Sequence, residues 1–250
     1  MSSVEAEPTD AESSNRSADQ PATAPHPLDN AGWYALTGVH ADFAQGTGSA
    51  RRYDPEVSVF SAIEDDSKAA WHDLATLTGP GGTAVLFRAL EVVAPAGWMV
   101  TFVGRGHQMV LAGDPPDLAV PSAVRPLGSD DVPQMLALVE LTQPGPFRPR
   151  TNELGGYVGI FEGDTLMAMA GQRISIDGFT EISAVCTHPN ARRRGYAAVV
   201  TTEVSRALLR TGVTPFLHVA ETNIGALRVY ERLGFATRVL TNFVGVKRTE

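Results

Sequence analysis

Residues 185–197, which read VCTHPNARRRGYA, constrain the fold more than any other part of the chain. The segment begins in an apolar run, breaks at Pro189 and Asn190, and continues through three arginines and Gly195 into a sequence with helical character. A strand that leads straight into a helix needs a sheet that the helix can cover. The segment therefore predicts a strand, turn and helix inside a mixed domain.

The sequence around this segment alternates in the same way. Apolar spacing predicts a helix over 130–141, and the turn-forming residues 162–164 join two strands in a hairpin. Further predicted elements are a strand at 179–187, a helix at 194–210, a strand at 215–220, a helix at 226–233 and a strand at 236–244. Strands mixed with covering helices indicate an α/β (α+β) fold.

Charge divides the chain into three regions, and the formal total is -8. Residues 1–30 carry six acidic residues against Arg16, four prolines and no aromatic residue, which predicts a disordered acidic tail. Residues 31–123 carry a net -5, whereas residues 124–250 carry +2. The Pro- and Gly-rich stretch 112–128 predicts a boundary, so we expect an N-terminal α/β domain at 31–118 and a second domain at 119–250.

Composition excludes several classes of protein. The acidic balance argues against nucleic acid or an anionic membrane as a partner. No run approaches the ~18 apolar residues of a membrane span, and the acidic start lacks a secretory signal, so we expect a cytoplasmic protein. The single cysteine, Cys186, excludes an internal disulfide and a metal site built from several thiolates.

The start of the predicted helix at Gly195 has the properties of an anion site. Its first backbone N–H groups lack helical partners, the helix dipole is positive there, and guanidinium groups add charged donors. A pyrophosphate group is the natural ligand for such a site. The alternative is that Gly195 only opens the helix and that Arg192, Arg193 and Arg194 form a solvated rim.

Two motifs resemble those of the GNAT superfamily of N-acetyltransferases. The pattern Arg192-x-x-Gly195-x-Ala197 is similar to the acetyl-CoA loop of that family, which also follows a central strand and opens a long helix. Downstream, the sequence from Leu227 through Tyr230 to Phe235 resembles the closing helix signature. Residues 181–189 and 216–219 resemble the FR47-like branch most closely, and the resemblance covers roughly 124–250.

The resemblance implies a GNAT fold, with a mixed central sheet flanked by helices and a splayed, bulged strand along which acetyl-CoA lies. It implies Tyr230 as the acid that protonates the departing thiolate and Glu181 as a general base. The other residues that it places at acetyl-CoA are Val185, Cys186, Thr187, Arg192, Arg193, Arg194, Gly195, Tyr196, Ala197, Ala198 and Asn223. No metal is implied.

Each assignment has a plainer alternative. Glu181 could be a surface strand residue, and Tyr230 could be an aromatic packed beside Phe235. Cys186 could form a nucleophilic pair with His188 or His218, although its apolar surroundings favour a place in the core. The loop 142–156 is long and carries Phe147 with two arginines, so it is a candidate lining of the acceptor site; its arginines hint at a carboxylate on the acceptor.

We therefore expect an N-acetyltransferase in which a primary amine, on a small molecule or a peptide, attacks acetyl-CoA directly in a ternary complex. One alternative is a catalytically inactive acetyl-CoA-binding regulatory module. Another is that residues 31–123 bind a partner that seeks an acidic surface, and that the acyltransferase serves as the effector of this partner. We interpret the N-terminal half as a partial, degenerate GNAT-like unit that packs on the second half and shapes the acceptor cleft.

Overall fold

The computed structural model describes residues 26–119 and 124–249. The helices in these ranges are α1 (Ala31–Thr37), α2 (Lys68–Thr78), α3 (Val132–Thr142), α4 (Tyr196–Leu209) and α5 (Ile224–Arg232). The strands are β1 (Ala44–Gln45), β2 (Ala50–Tyr53), β3 (Ser61–Ile63), β4 (Thr83–Arg88), β5 (Trp98–Leu111), β6 (Val124–Leu127), β7 (Tyr157–Glu162), β8 (Thr165–Ile176), β9 (Phe179–Thr187), β10 (Thr214–Ala220) and β11 (Phe235–Arg248). None of the helices in the described ranges is long and apolar enough to cross a membrane.

One mixed sheet organises the molecule. Its eight strands run in the order β4-β11-β5-β10-β9-β8-β7-β6, and a separate sheet holds β1, β2 and β3. Every pairing in the large sheet is antiparallel except that of β9 with β10, which is parallel. The fold is thus the predicted mixed sheet with flanking helices.

Local signals in the sequence account for most element boundaries. The strand predicted at 179–187 has the same bounds in the structure, and the predicted hairpin is present as β7 and β8. Ser67 caps α2 by accepting from the Ala70 amide, and Gly79, with φ 73°, follows its last residue. Strand β6 lies inside the stretch that was predicted as a linker. The sequence did not predict this strand, because a short edge strand that contains Pro126 carries little periodic signal.

The predicted domain boundary at residue 118 does not separate two sheets. Strand β5, from the first half of the chain, lies between β10 and β11 and pairs with both. Strand β4, also from the first half, pairs with β11 on its other side. The Pro- and Gly-rich stretch before β6 is therefore a crossover within one sheet, and removing residues 31–118 would remove two of its strands.

The predicted tail ends earlier than residue 30. Residues 1–25 lie outside the described residues, but Pro27–Asn30 form a 3₁₀ helix in which Leu28 is buried. Arg238 of β11 donates to Asp29 at 2.6 Å from Nη2 to Oδ1. A buried leucine and an ion pair anchor this segment, which composition alone did not separate from the residues before it.

Helices cover both faces of the sheet. On one face, Val199, Val200 and Val204 of α4 belong to the same buried cluster as Ile182 and Leu217. On the other, residues of α1 pack with aromatic side chains of the first half and with the end of β8, namely Ala31, Ala35, Phe60, Phe87 and Ile174. The second cluster contains residues from both halves of the chain, so the first half packs directly against the strands of the second half.

Candidate active site

Strands β9 and β10 separate part of the way along their length. They pair in parallel from Phe179 and Thr214 as far as Ile182 and Leu217. Beyond that point β10 continues against β5 alone, up to Ala220. The edge of β9 that faces β10 is therefore open from Ser183 onward, and its backbone groups there are free to pair with an extended ligand.

A bulge lies at the start of this open edge. Ser183 lies opposite Gly171 and Cys186 opposite Met169, so two residues of β9 face one of β8. Ala184, one of the two, has φ 53°, a left-handed value that is uncommon for a residue other than glycine. The bulge turns β9 away from β10, and the splayed, bulged strand that the family resemblance implies is present.

The loop between β9 and α4 presents a row of backbone donors. The amides of residues 193–198 have no backbone acceptor within the described part of the chain, whereas the amide of Val199 bonds to the Gly195 carbonyl. Arg193 and Gly195 have φ of 64° and 80°, which turn this backbone back toward the helix start. A cradle of amides at the start of a helix of 14 residues fits a pyrophosphate group.

The three arginines of this loop are not equivalent. Arg194 donates to Glu162 of β7 at 2.7 Å from Nη1 to Oε1, and the Tyr196 hydroxyl donates to the same oxygen at 2.8 Å. Arg192 and Arg193 are exposed and have no ion-pair partner in the described residues. The side chains that remain for an anion are thus those of Arg192 and Arg193, whereas Arg194 offers its amide.

A cavity of about 540 Å³ occupies the space between the separated strands. Its β9 side is formed by Ser183, Ala184 and Val185, and Tyr230 of α5 also lines the cavity. The opposite wall comes largely from the first half of the chain and from β11, with Val59, Phe60, Val85, Phe102 and Phe243. The cavity therefore joins the open strand edge to a wall of apolar and aromatic side chains.

Tyr230 lies on the wall of this cavity. It is 8% exposed, it lines the cavity, and its ring meets Phe235 edge to face at 6.2 Å between centroids. Burial raises the pKa of the Tyr230 phenol above its ordinary value. The hydroxyl is therefore protonated at neutral pH, and packing beside Phe235 fixes its ring while leaving it on the cavity wall.

Glu181 is buried behind the cavity wall rather than on it. It is 1% exposed, and Arg173 donates to both of its oxygens, at 2.8 Å from Nε to Oε2 and 2.6 Å from Nη2 to Oε1. His218 Nδ1 lies 2.8 Å from Oε1. Burial alone would raise the pKa of Glu181, but Arg173 and the His218 hydrogen bond outweigh it and lower the pKa to about 2. Such a carboxylate has little basicity and no free oxygen facing an amine.

The hydrogen bonds continue from His218 across the sheet. Gln108 of β5 bonds through Nε2 to His218 Nε2 at 3.2 Å and donates to the Leu28 carbonyl at 2.9 Å. Arg238 donates from Nε to Gln108 Oε1 at 2.6 Å, which fixes the orientation of the amide. His218 Nε2 is then an acceptor, and its Nδ1 carries the proton that is donated to Glu181. Both ring nitrogens are occupied by protein groups.

Two other predicted site residues have structural roles that the geometry explains. Asn223 is exposed and caps α5, since its Oδ1 accepts from the Ala226 amide at 3.1 Å.

Cys186 packs on the α3 side of the sheet with Met135 and Met169, and burial raises the pKa of its thiol to about 11. The nucleophilic pairing of Cys186 with a histidine has no support, because His218 bonds to Glu181 and Gln108 and His188 Nδ1 accepts from the Asn190 amide. Thr187 ends β9 opposite Ala168 of β8 and is half-buried.

The loop 142–156 contacts both the cavity and the first half of the chain. Pro144, Gly145 and Pro146 line the cavity, and the Thr151 hydroxyl donates to the Val57 carbonyl at 2.7 Å. The contact expected between this loop and residues 31–123 is therefore present. Its two arginines lie elsewhere: Arg148 is exposed and off the cavity wall, and Arg150 pairs with Glu153 and Asp54.

The sequence did not single out Arg173 or the aromatic wall. Arg173 falls after the predicted hairpin strand, at a second register shift between Gln172 and Ser175 where periodicity fails. Phe60 and Phe102 belong to a half of the chain in which no motif is present. The available signal was an arginine next to Ile174 in a largely buried strand, a position where an arginine requires a partner.

Among the described residues, no group of three or more His, Cys, Asp or Glu side chains is placed to hold a metal ion.

Comparisons with known proteins agree with this geometry. The family model described as FR47-like protein matches residues 157–244. A solved structure from Novosphingobium aromaticivorans, assigned to the GNAT family of acetyltransferases, is 33% identical with a TM-score of 0.83, and the match covers 90% of this chain and 100% of that one. A GCN5-related N-acetyltransferase from Kribbella flavida is 20% identical with a TM-score of 0.59, over 87% and 93%. Among curated proteins, no match is found.

The mixed sheet, with its open strand edge and amide cradle, defines an acyltransferase. The chain belongs to the GNAT family of acetyltransferases, within its FR47-like branch.

Proposed function

We propose that this chain transfers the acetyl group of acetyl-CoA to a primary amine by direct attack within a ternary complex. GNAT acetyltransferases use acetyl-CoA, and a thioester supplies an activated acyl group with a thiolate leaving group. The observation that carries the proposal is the continuity of the cavity. It runs from the open edge of β9, past Tyr230, to a wall built by the first half of the chain.

The donor side of the site is proposed to work mainly through backbone groups. The amides of residues 193–198 would hold the pyrophosphate, and the free backbone of Val185 and Thr187 would pair with the pantetheine arm as an added strand does. Asn223 would contact the same arm through its amide nitrogen, since its oxygen caps α5. These contacts would place the thioester beside Tyr230.

Tyr230 is proposed to protonate the departing sulfur. A thiolate that leaves in a cavity with few polar groups needs a proton or a donor close by, and a phenol kept neutral by burial can supply either. Glu181 is a weak candidate for the base, because its pKa of about 2 and its two occupied oxygens leave it no basic site. We assign it instead a positioning role toward Arg173 and His218.

An amine must therefore arrive at the thioester neutral without help from a carboxylate on the cavity wall. Neutralising a lysine side chain of pKa ~10.4 at pH 7 costs about 4.6 kcal/mol, whereas an α-amine of pKa ~7.7 to 8 costs about 1 kcal/mol. Since no Asp or Glu lines the described cavity wall, amines of lower pKa are the better acceptors. This preference for amines of lower pKa follows only from the free-energy cost of neutralising the amine, so it holds for small molecules and for peptides.

Substituting Tyr230→Phe tests the proposal. We expect kcat to fall about 100-fold, since a positioned acid contributes at least that factor, with acetyl-CoA affinity unchanged. Tyr34→Phe, which changes an exposed tyrosine of α1, is the matched control and should leave both quantities unchanged. The measurements are steady-state rates with a panel of amines and calorimetric binding of acetyl-CoA. Binding by the wild type without turnover of any amine would instead favour the regulatory module.

A further inference from the structure

Arg173 has more donors than its protein partners use. It is 9% exposed, and a guanidinium carries five N–H groups, of which two donate to Glu181. Its central carbon lies 4.9 Å from the centroid of the Phe60 ring, so the planar group is stacked as well as paired. Arg173 Nη1 has no acceptor among the described residues. It is also not fully enclosed, since it does not belong to the buried polar atoms that lack a hydrogen-bond partner. Since Arg173 lines the cavity, its remaining N–H edge is accessible from there.

The charged side chains that line the cavity are both cationic, and Glu181, the partner of Arg173, lies behind the wall. Arg173 and Arg105 are its two arginines, and no Asp or Glu lies on the wall among the described residues. The nearest acid to Arg105 is Glu221, at 3.9 Å, and more than a third of each of these side chains is exposed. A polycationic acceptor would meet guanidinium groups without a carboxylate, whereas an acidic acceptor would meet donors in a region of low dielectric.

The rest of the wall sets the apolar part of the acceptor. Phe60, whose ring lies against Arg173, shares the cavity wall with Phe102 and Phe243. The cavity of about 540 Å³ must hold the reacting end of the donor as well as the acceptor, which leaves room for a small apolar group.

We infer that the acceptor is an amine that also carries a carboxylate next to an apolar or aromatic group, and that Arg173 binds this carboxylate. The inference rests on the acetyltransferase function proposed above. Glu181 is a positioning residue in this assignment, because its two hydrogen bonds hold the guanidinium plane with its free edge toward the cavity. The arginines that determine the acceptor are thus on the sheet and not in the loop 142–156.

Matched acceptors test the inference in the wild-type full chain. Phenylalanine, phenylalaninamide and phenethylamine differ in the carboxylate and share the apolar group and the amine. We expect kcat/KM with acetyl-CoA to be at least about 10-fold higher for phenylalanine, after correction for the neutral fraction of each amine. Equal values for the three compounds would overturn the inference and would leave the acetyltransferase function intact.

The substitution Arg173→Lys keeps the charge beside Glu181 and removes the planar fork. We expect KM for phenylalanine to rise about 10- to 100-fold while KM for phenylalaninamide and the affinity for acetyl-CoA stay the same. Arg148→Lys, on an exposed loop arginine off the cavity wall, is the control and should change neither KM. An equal loss for acid and amide would show a structural role only and would overturn the assignment.

A binding measurement separates this inference from the proposed function. If no amine is acetylated although acetyl-CoA binds, the proposed function fails. Calorimetric titration of the CoA-bound protein with N-acetylphenylalanine and N-acetylphenylalaninamide then decides the inference without turnover. Tighter binding of the acid, lost in Arg173→Lys, supports it, and equal or undetectable binding of both overturns it.

Discussion

The donor edge and the acceptor wall of the cavity are built in opposite ways. The proposed donor edge, from Ser183 to Ala198, is continuous in sequence and presents backbone N–H and C=O groups exposed by a bulge and by a glycine turn. The acceptor wall is assembled from side chains that are far apart in the chain, such as Phe60, Phe102 and Phe243. Backbone recognition suits a ligand that is the same for every member of the family, whereas a side-chain wall can change with the acceptor.

The largest effect is expected from damage to the backbone cradle. Gly195→Val places a β-branched side chain at φ 80°, which costs about 1–2 kcal/mol of folding stability and puts atoms into the open space in front of the amides. We expect acetyl-CoA affinity, measured by calorimetry, to fall on the order of 100-fold.

Gly212→Val is the matched control for this prediction. Gly212 follows α4 with φ 76° and open space around its Cα, so the stability cost should be similar while acetyl-CoA affinity stays unchanged. A similar loss of affinity in both variants would mean that destabilisation, and not the cradle, explains the result.

The buried ion pair of Glu181 and Arg173 links the donor edge to the acceptor wall. Its contribution should appear in the free energy of unfolding as a function of pH. The pKa of Glu181 is about 2 in the folded protein against 4.5 for the ordinary group. The stabilisation is therefore fully present above pH 4.5 and is lost as the pH falls to about 2, by about 3 kcal/mol in all.

Urea unfolding at pH 7, 4 and 3 measures this loss in the wild type and in Glu181→Gln. The wild type should lose more of its unfolding free energy than the variant, and Glu153→Gln, which alters an exposed ion pair, should follow the wild type. Parallel curves for wild type and Glu181→Gln would contradict the assignment of an ionised, buried Glu181.

A smaller, selective effect is expected at the acceptor wall. Phe102 is 47% exposed and lines the cavity, so Phe102→Ala should raise the KM of an apolar acceptor about 10-fold and leave the KM of acetyl-CoA unchanged. Val103→Ala is the control, because Val103 is 63% exposed and does not line this cavity. Equal changes in the KM of the acceptor and the KM of acetyl-CoA would mean that the acceptor wall and the donor edge do not act separately.

The sequence predicted the secondary structure around residues 183–198 well and the order of the strands poorly. The bounds of β9, the hairpin of β7 and β8, and the helix that follows Gly195 were predictable because each depends on local periodicity or turn chemistry. The insertion of β5 between β10 and β11 was not, because strand order depends on pairings between residues more than 100 positions apart. For the same reason, the sequence could not show that strands from both sides of residue 118 share one sheet.

The sequence by itself determined the family and the strand-to-helix turn at Gly195, because these follow from short segments whose backbone conformation is set locally. Only the tertiary structure decided which side chains share the cavity. Pairing with Arg173 made Glu181 a buried, weakly basic partner instead of a free base, and the fold placed aromatic residues of the first half in the same cavity as Tyr230. The protonation and the burial of a side chain depend on its neighbours in space, and those neighbours are distant in the chain.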